Sequence, residues 1–134
     1  MGTPLDEAYS AFFIKSGLDY SLKGSQVFQF FKTGISKSYK IIPNDLTYTT
    51  DENFEGEFLN ILIQDEIELI ALNMLMEEKR QKRSILDYAK KHIGTKDFNR
   101  LPNKVNEYKI LSESMKDLKD EIKDLEQSFK SYKN

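Results

Sequence analysis

The sequence of 134 residues predicts an all-α fold in a single helical domain, 1–134. Apolar side chains recur at helical spacing along most of the chain, a pattern typical of amphipathic helices. The six glycines and three prolines are too few for a turn-rich β sandwich. Hydrophobic residues make up 39% of the chain and include nine Phe and seven Tyr, enough to build a core. We therefore expect an N-terminal helical hairpin, a long buried central helix and a long amphipathic C-terminal helix.

Two Phe-rich helices are predicted at the N-terminus. Thr3 is the expected N-cap of the first helix, because its hydroxyl can accept a backbone N–H of the first turn. Gly17 ends that helix, and the second helix begins after Gly24 or Ser25. Gly34 lies inside the second helix and weakens it, since glycine lowers helix stability. We expect the two helices to form a hairpin.

Residues 39–55 interrupt the helical pattern. Pro43 biases Ile42 towards extended backbone. The run at 46–50 has the composition of a strand, so this segment is either an ordered loop or includes one short strand there. A lone strand needs a partner, and a neighbouring subunit is one source of it.

The central helix is predicted over 57–79, with Asn53 or Asn60 as its N-cap. Apolar residues run almost continuously from 67 to 76, so this helix is apolar on most of its circumference. Such a helix is surrounded by other helices or by other subunits. The basic stretch 79–91 continues the helical pattern, and Gly94 ends it.

The last helix is predicted over about 103–133, after Pro102. Its apolar residues form a narrow seam with heptad spacing: Tyr108, Leu111, Met115, Leu118, Ile122, Leu125, Phe129 and Tyr132. Almost all other positions beyond 111 are polar or charged. The seam faces the protein's own domain, another copy of the chain, or another protein.

Charge is distributed unevenly along the chain. Residues 41–78 contain ten acids and no Lys or Arg, whereas residues 79–91 contain six basic residues and one acid. This asymmetry favours head-to-tail contact between copies, and the alternative is that the charges are solvated helix faces. The candidate inter-subunit residues are Lys79, Arg80, Lys82 and Arg83 on the basic side, with Asp51, Glu52, Glu55, Asp65 and Glu66 on the acidic side.

The residue inventory excludes several kinds of active and metal site. There is no Cys, which excludes thiolate zinc sites, and His92 is the only histidine, which excludes a multi-histidine site. Carboxylates three residues apart, such as Asp65 with Glu68 or Glu121 with Asp124, arise by chance on helices. We therefore expect no enzyme activity, no catalytic or metal site and no cofactor. No apolar run approaches the roughly 18 residues that a membrane span needs.

The basic stretch 79–91 also permits a nucleic-acid-binding function. The four cations within 79–83 can contact phosphates without sequence preference. No aromatic stacking platform is interleaved with them, and no helix-turn-helix pairing is evident. Two alternatives to head-to-tail assembly stay open: a helical regulatory or nucleic-acid-binding protein, and a coiled-coil assembly chaperone that uses the last helix.

Residues 63–98 carry a recognisable order of motifs. The acidic stretch Gln64-Asp65-Glu66-Ile67-Glu68 is followed by the aliphatic run 69–78, a basic span and Gly94-Thr95-Lys96-Asp97-Phe98. A charged amphipathic helix comes next, and the N-terminal segment 1–7 (MGTPLDE) and the loop 45–47 (DLT) precede this region. This order resembles the small helical head–tail connector proteins, also called neck or portal-adaptor proteins, of tailed double-stranded DNA bacteriophages.

The resemblance implies a structural virion protein that forms a ring, dodecameric in that family, in the phage neck. The implied partners are the portal protein and the next neck or tail-completion protein. The ring would join the portal to the tail or to that next neck protein and extend the DNA channel, with only transient, non-specific contact with DNA and no membrane. The implied location is the virion neck, after assembly in the host cytoplasm. The candidate portal-docking residues are then Leu118, Ile122, Leu125, Phe129 and Tyr132 of the seam.

Overall fold

The computed structural model describes residues 2–18 and 24–132, with side chains as far as Lys130. Helices account for 71% of this part of the chain, so the all-α prediction is confirmed. The described elements, in chain order, are α1 (Asp6–Ser16), α2 (Ser25–Ser38), β1 (Tyr48–Thr50), β2 (Gly56–Phe58), α3 (Gln64–Ile93), α4 (Thr95–Phe98) and α5 (Pro102–Tyr132).

Helix α3 is the centre of the fold. Its residues from 67 to 76 are all buried except Glu68, and α1, α2 and α5 pack around them. This half of α3 is the buried central helix that the sequence predicts. Beyond Glu78 the only buried side chain of α3 is Leu86, so the second half of the helix leaves the core.

The second half of α3 belongs to a helical arm, which consists of α3 from 79 to 93, α4, and α5 from 102 to 114. Gly94 has φ +90° and permits the change of direction after α3. Phe98 of α4 is buried, and its ring centroid lies 6.4 Å from that of Tyr108 on α5. The Arg83 guanidinium lies 5.6 Å from the same Tyr108 ring. The basic stretch is therefore helical, as predicted, and lies on this arm.

Helices α2 and α3 approach each other closely at Gly34. A Cβ atom at this position would lie 2.8 Å from Met74 Cγ and 2.9 Å from the backbone oxygen of Ile70. Nearby, Asn73 Nδ2 donates a buried hydrogen bond to Ser38 Oγ (3.0 Å). Gly34 lowers helix propensity, as the sequence suggests, but its lack of a side chain is what lets α2 reach α3.

The segment 39–55 contains a strand whose partner comes from the same chain. β1 pairs with β2 in antiparallel register, with Tyr48 opposite Phe58. In the turn between them, Asp51 Oδ1 accepts the backbone N–H groups of Asn53 (2.8 Å) and Glu55 (3.0 Å). The short strand near 46–50 is thus present, and it does not need a neighbouring subunit.

Aromatic side chains fix this hairpin to α1 and α2. The Tyr9 hydroxyl donates to the backbone oxygen of Phe54 (2.8 Å), and burial raises the pKa of Tyr9 above its usual value, so the donor keeps its proton. The Phe54 ring stacks on Phe28 of α2, with centroids 5.0 Å apart. The two N-terminal helices also meet through Tyr9 and Phe31, whose rings are 5.4 Å apart.

The predicted start of α3 is wrong. Phe58 lies in β2, because 56–58 are extended and pair with β1, and the helix begins only at Gln64. Neither Asn53 nor Asn60 is its N-cap, a position that Ile63 occupies. The apolar residues between 57 and 63 belong to a strand and its exit rather than to a helix.

The predicted N-cap role of Thr3 is also wrong. Helix α1 begins at Asp6, and Thr3 lies beside β2, where its backbone oxygen accepts the N–H of Phe58 (2.7 Å). Its Oγ1 accepts the N–H of Leu62 (2.8 Å). Thr3 therefore ties the N-terminal segment to the entrance of α3. Gly17, with φ +71°, ends α1 as predicted.

We predict that Gly34→Ala destabilises the protein although Ala is the better helix former. The added methyl group would lie within 3 Å of Met74 and of the Ile70 backbone, so the helices must separate. Overpacking of this kind costs about 1–3 kcal/mol, against a gain in propensity of about 1 kcal/mol. Thermal unfolding followed by circular dichroism should show a lower midpoint, whereas Ser36→Ala, on the exposed side of α2, should not. A raised midpoint for Gly34→Ala would contradict the close helix contact.

Candidate functional site

The predicted cations of α3 lie on the arm but face two sides of it. Lys79 and Lys82 line a groove against α5, together with Ile110. Arg80 and Arg83 line a second groove, on the other side of the α3–α5 pair. Consecutive residues of an α-helix point about 100° apart, so four cations in five positions cannot share one face. The structure thus divides the predicted basic cluster into two pairs.

These cations differ in the ion pairs that they form within the chain. Lys82 Nζ lies 3.1 Å from Glu78 Oε1, and the Glu78 side chain is almost fully buried. Arg80 and Arg83 make only long contacts, of 3.9 and 4.0 Å, with acids of the same helix. Exposed pairs at such distances contribute little to stability. The ion pairs of Arg80 and Arg83 are therefore weaker than that of Lys82, although the Lys82 side chain is itself 57% exposed.

Three of the predicted acids lie together on the β-hairpin. Asp51, Glu52 and Glu55 are exposed at its turn. The hairpin packs on α1 and α2, and none of its residues lines the groove that holds Arg80 and Arg83. Among the described residues, no ion pair joins these acids to the basic stretch of the same chain.

The other two predicted acids lie in the first turn of α3, and one of them makes hydrogen bonds within the chain. Asp65 is half-buried, and Glu66 is only 4% exposed. Glu66 Oε1 accepts the N–H of Ile63 (2.9 Å) and Nδ2 of Asn44 (3.2 Å). Glu66 therefore caps α3 and ties it to the preceding loop. Its assignment as an inter-subunit residue is wrong, because a buried and engaged carboxylate cannot meet a neighbour.

The apolar seam of α5 is covered by the chain itself. Leu118, Ile122 and Phe129 are 5%, 8% and 1% exposed and belong to the core, and Leu125 is half-buried against it. The expectation that Leu118, Ile122 and Phe129 dock on a portal is therefore wrong, because these side chains are buried in the chain's own core. The reason is that α1 and α2 leave one side of α3 uncovered, and α5 closes it. The side chain of Tyr132 lies outside the described residues.

A groove of about 500 Å³ lies between α3 and α5. Five cations line this groove, which we call the basic groove: Arg80 and Arg83 of α3 and Lys116, Lys119 and Lys123 of α5. Glu126 is the one acid among the described residues that line it. The three lysines follow one another at steps of three and four residues, which places them on one helix face. That spacing is visible in the sequence, although the predicted site did not include these lysines.

The opposite side of α5 is acidic. Its four exposed acids, named here the acidic flank, are Glu113, Asp117, Glu121 and Asp124. They line the grooves on the other side of the α3–α5 pair from the basic groove. Lys15 and Lys79 lie on that side too, and Lys15 pairs with Glu68. Helix α5 therefore presents opposite charges on its two sides, with the buried seam between them.

The arm also exposes apolar side chains. Ile85 is 69% and Tyr88 is 65% exposed, and their spacing of three residues places them on one face of α3. The ring of His92 stacks on Tyr88, with centroids 4.9 Å apart. The single histidine thus lies beside this apolar strip.

The described residues hold no group of three or more His, Asp or Glu side chains placed to bind a metal ion. Within the same part of the chain, no helix combines the length and the hydropathy required to cross a membrane.

Comparison with known proteins found no match. This holds for protein-family models, for curated proteins and for solved structures. Function is therefore inferred from the sequence motifs and from the surfaces described above.

We predict that Phe129→Ala lowers stability by about 3–5 kcal/mol, because it removes a fully buried aromatic side chain. Urea denaturation measures the loss, and Asp120→Ala, an exposed position on the same helix, is the matched control. A Phe129→Ala protein as stable as the control would show that the seam is not part of the core.

Proposed function

We propose that the chain is a structural subunit that forms a ring in the neck of a tailed bacteriophage. The ring joins the portal to the tail or to the next neck protein and extends the DNA channel. Support comes from the motif order at 63–98, which resembles the connector proteins, and from the surface charges of the α3–α5 pair. The function is one of assembly rather than catalysis.

The observation that carries the proposal is the separation of opposite charges over the surface. The basic groove and the acidic flank lie on two sides of α5, and in the described part of the chain no ion pair joins them. The hairpin acids form a further acidic surface. A subunit with unlike surfaces on different sides associates head to tail, and such contacts close into a ring when the rotation between copies allows it.

The arm is the surface that we assign to the portal or to the next neck protein. Leu118, Ile122 and Phe129 of the seam are buried, so they do not serve this purpose while the chain is folded. Ile85 and Tyr88 leave a strip of apolar surface on the arm. Exposed apolar strips rimmed by charge are typical of protein–protein contacts. A coiled-coil chaperone has less support, because Leu118, Ile122 and Phe129 of the face that it would pair through are buried.

Reconstitution with the purified portal protein of the same phage tests this function. We expect electron microscopy to show a ring of added density on the portal for the wild-type chain. The variant Ile85→Ser with Tyr88→Ser should reduce the occupancy of that ring at least about tenfold while leaving the melting temperature unchanged, because both side chains are exposed.

Ser84→Ala, at a neighbouring exposed position of α3, is the control and should bind like the wild type. Absence of any portal complex with the wild-type chain would contradict the neck function. Normal binding by the double variant would contradict only the assignment of the arm.

Nucleic-acid binding is the second candidate function, and the five cations of the basic groove favour it. For a connector we expect weak DNA binding without sequence preference, since DNA must slide through the ring. With about four phosphate contacts, the affinity should fall about 100-fold between 50 and 200 mM salt. Fluorescence anisotropy with unrelated duplexes measures this dependence. A sequence-specific complex that persists at physiological salt would instead identify a regulatory protein.

A further inference from the structure

We propose that the basic groove of one copy receives the acidic flank of the next copy, so that α5 takes part in every contact around the ring. This contact rests on one part of the proposed function, namely that the chain assembles with itself. The portal is not needed for it.

Like charges are neighbours on each side of α5. Lys119 is followed by Lys123, and Asp117 by Glu121, and side chains four residues apart on a helix are adjacent. In the described part of the chain, no ion pair involves a lysine of the basic groove or an acid of the acidic flank. Each side of α5 therefore repels itself in the isolated subunit. An oppositely charged surface on each side would relieve both repulsions.

The two surfaces overlap along α5. The lysines of the groove span 116–123, about 10 Å, and the acids of the flank span 113–124, about 16 Å, at 1.5 Å per residue. The buried Leu118 lies between them in sequence and points into the core. A neighbour rotated about an axis parallel to α5 thus brings its flank to the level of the groove without sliding along the helix. When this contact repeats, each copy uses its flank to bind one neighbour and its groove to bind the other, as a ring requires.

Charge complementarity identifies a second copy as the occupant of the groove. A DNA backbone would neutralise the groove but leave the acidic flank unpaired. The hairpin acids of a neighbour, which the sequence suggested as partners, would do the same. Only the flank-to-groove contact neutralises both surfaces of α5 in one interface. Because both surfaces are exposed and charged, the contact weakens as salt rises.

Two triple variants test the contact. The groove variant carries Lys116→Glu, Lys119→Glu and Lys123→Glu, and the flank variant carries Asp117→Lys, Glu121→Lys and Asp124→Lys. The control carries Lys37→Glu, Lys91→Glu and Lys96→Glu, three exposed lysines outside α5 that line neither surface. Self-association of the full chain is measured at low salt by sedimentation velocity and chemical cross-linking, with circular dichroism to verify folding.

We expect each triple variant to associate with itself at least about tenfold more weakly than the wild type, whereas the control is unchanged. An equal mixture of the two triple variants should recover association. In that mixture the acidic groove of the groove variant binds the basic flank of the flank variant. The unchanged groove of the flank variant binds the unchanged flank of the groove variant, as in the wild type. A chain that combines both triple changes should also associate with itself again.

Normal association of the groove variant, or no recovery in the mixture, overturns the contact. So does a wild-type chain that stays monomeric at every concentration. If the groove variant fails while the flank variant assembles normally, the groove binds another acidic surface of the neighbour, such as the hairpin acids, and the flank contact is wrong. Recovery in the mixture without a portal complex in the reconstitution above would leave the contact standing and remove the neck function.

Discussion

Enclosing the apolar circumference of α3 is the requirement on which the rest of the structure depends. The residues of this helix from 67 to 76 are buried on nearly all sides, and no pair of helices can surround a third completely. Helices α1 and α2 cover part of it, with Gly34 allowing the closest approach. Helix α5 closes the remaining side with its apolar seam, where each buried Leu, Ile or Phe contributes roughly 1.5–3 kcal/mol.

The charged surfaces follow from this packing. Because the seam of α5 is fixed against α3, the rotation of α5 about its own axis is fixed too. The three lysines of the basic groove are then held towards one side, where Arg80 and Arg83 join them, and the four acids of the acidic flank towards the other. The packing of α5 against α3 therefore fixes where the basic groove and the acidic flank lie on the folded domain.

Local signals in the sequence predict most of the helices. Gly17 and Gly94 end α1 and α3 as expected, and Pro102 opens α5, because these signals depend on the backbone of a few residues. The start of α3 could not be predicted in this way. Phe58 and the apolar residues after it suit a strand as well as a helix, and the pairing with β1 that decides between them is a non-local contact.

The site was predicted less completely, again for physical reasons. The stretch 79–83 is basic in any conformation, but only the packing of α5 shows that Arg80 and Arg83 face the opposite side from Lys79 and Lys82. The acidity of Glu66 suggested a surface residue, whereas its carboxylate is buried and caps α3. The apolar seam was recognised, but its partner is a property of the tertiary structure.

The closure of the core by α5 also has a consequence for synthesis of the protein. The ribosome completes the apolar stretch of α3, which ends at Met76, well before it reaches the seam of α5. Leu118 is the first of the seam residues Leu118, Ile122 and Phe129, which are buried in the core. At roughly 5–20 residues per second, this interval lasts a few seconds. During that time one side of α3 has no cover within the nascent chain. Until α5 emerges, this side of α3 is an exposed apolar surface of the kind that chaperones bind.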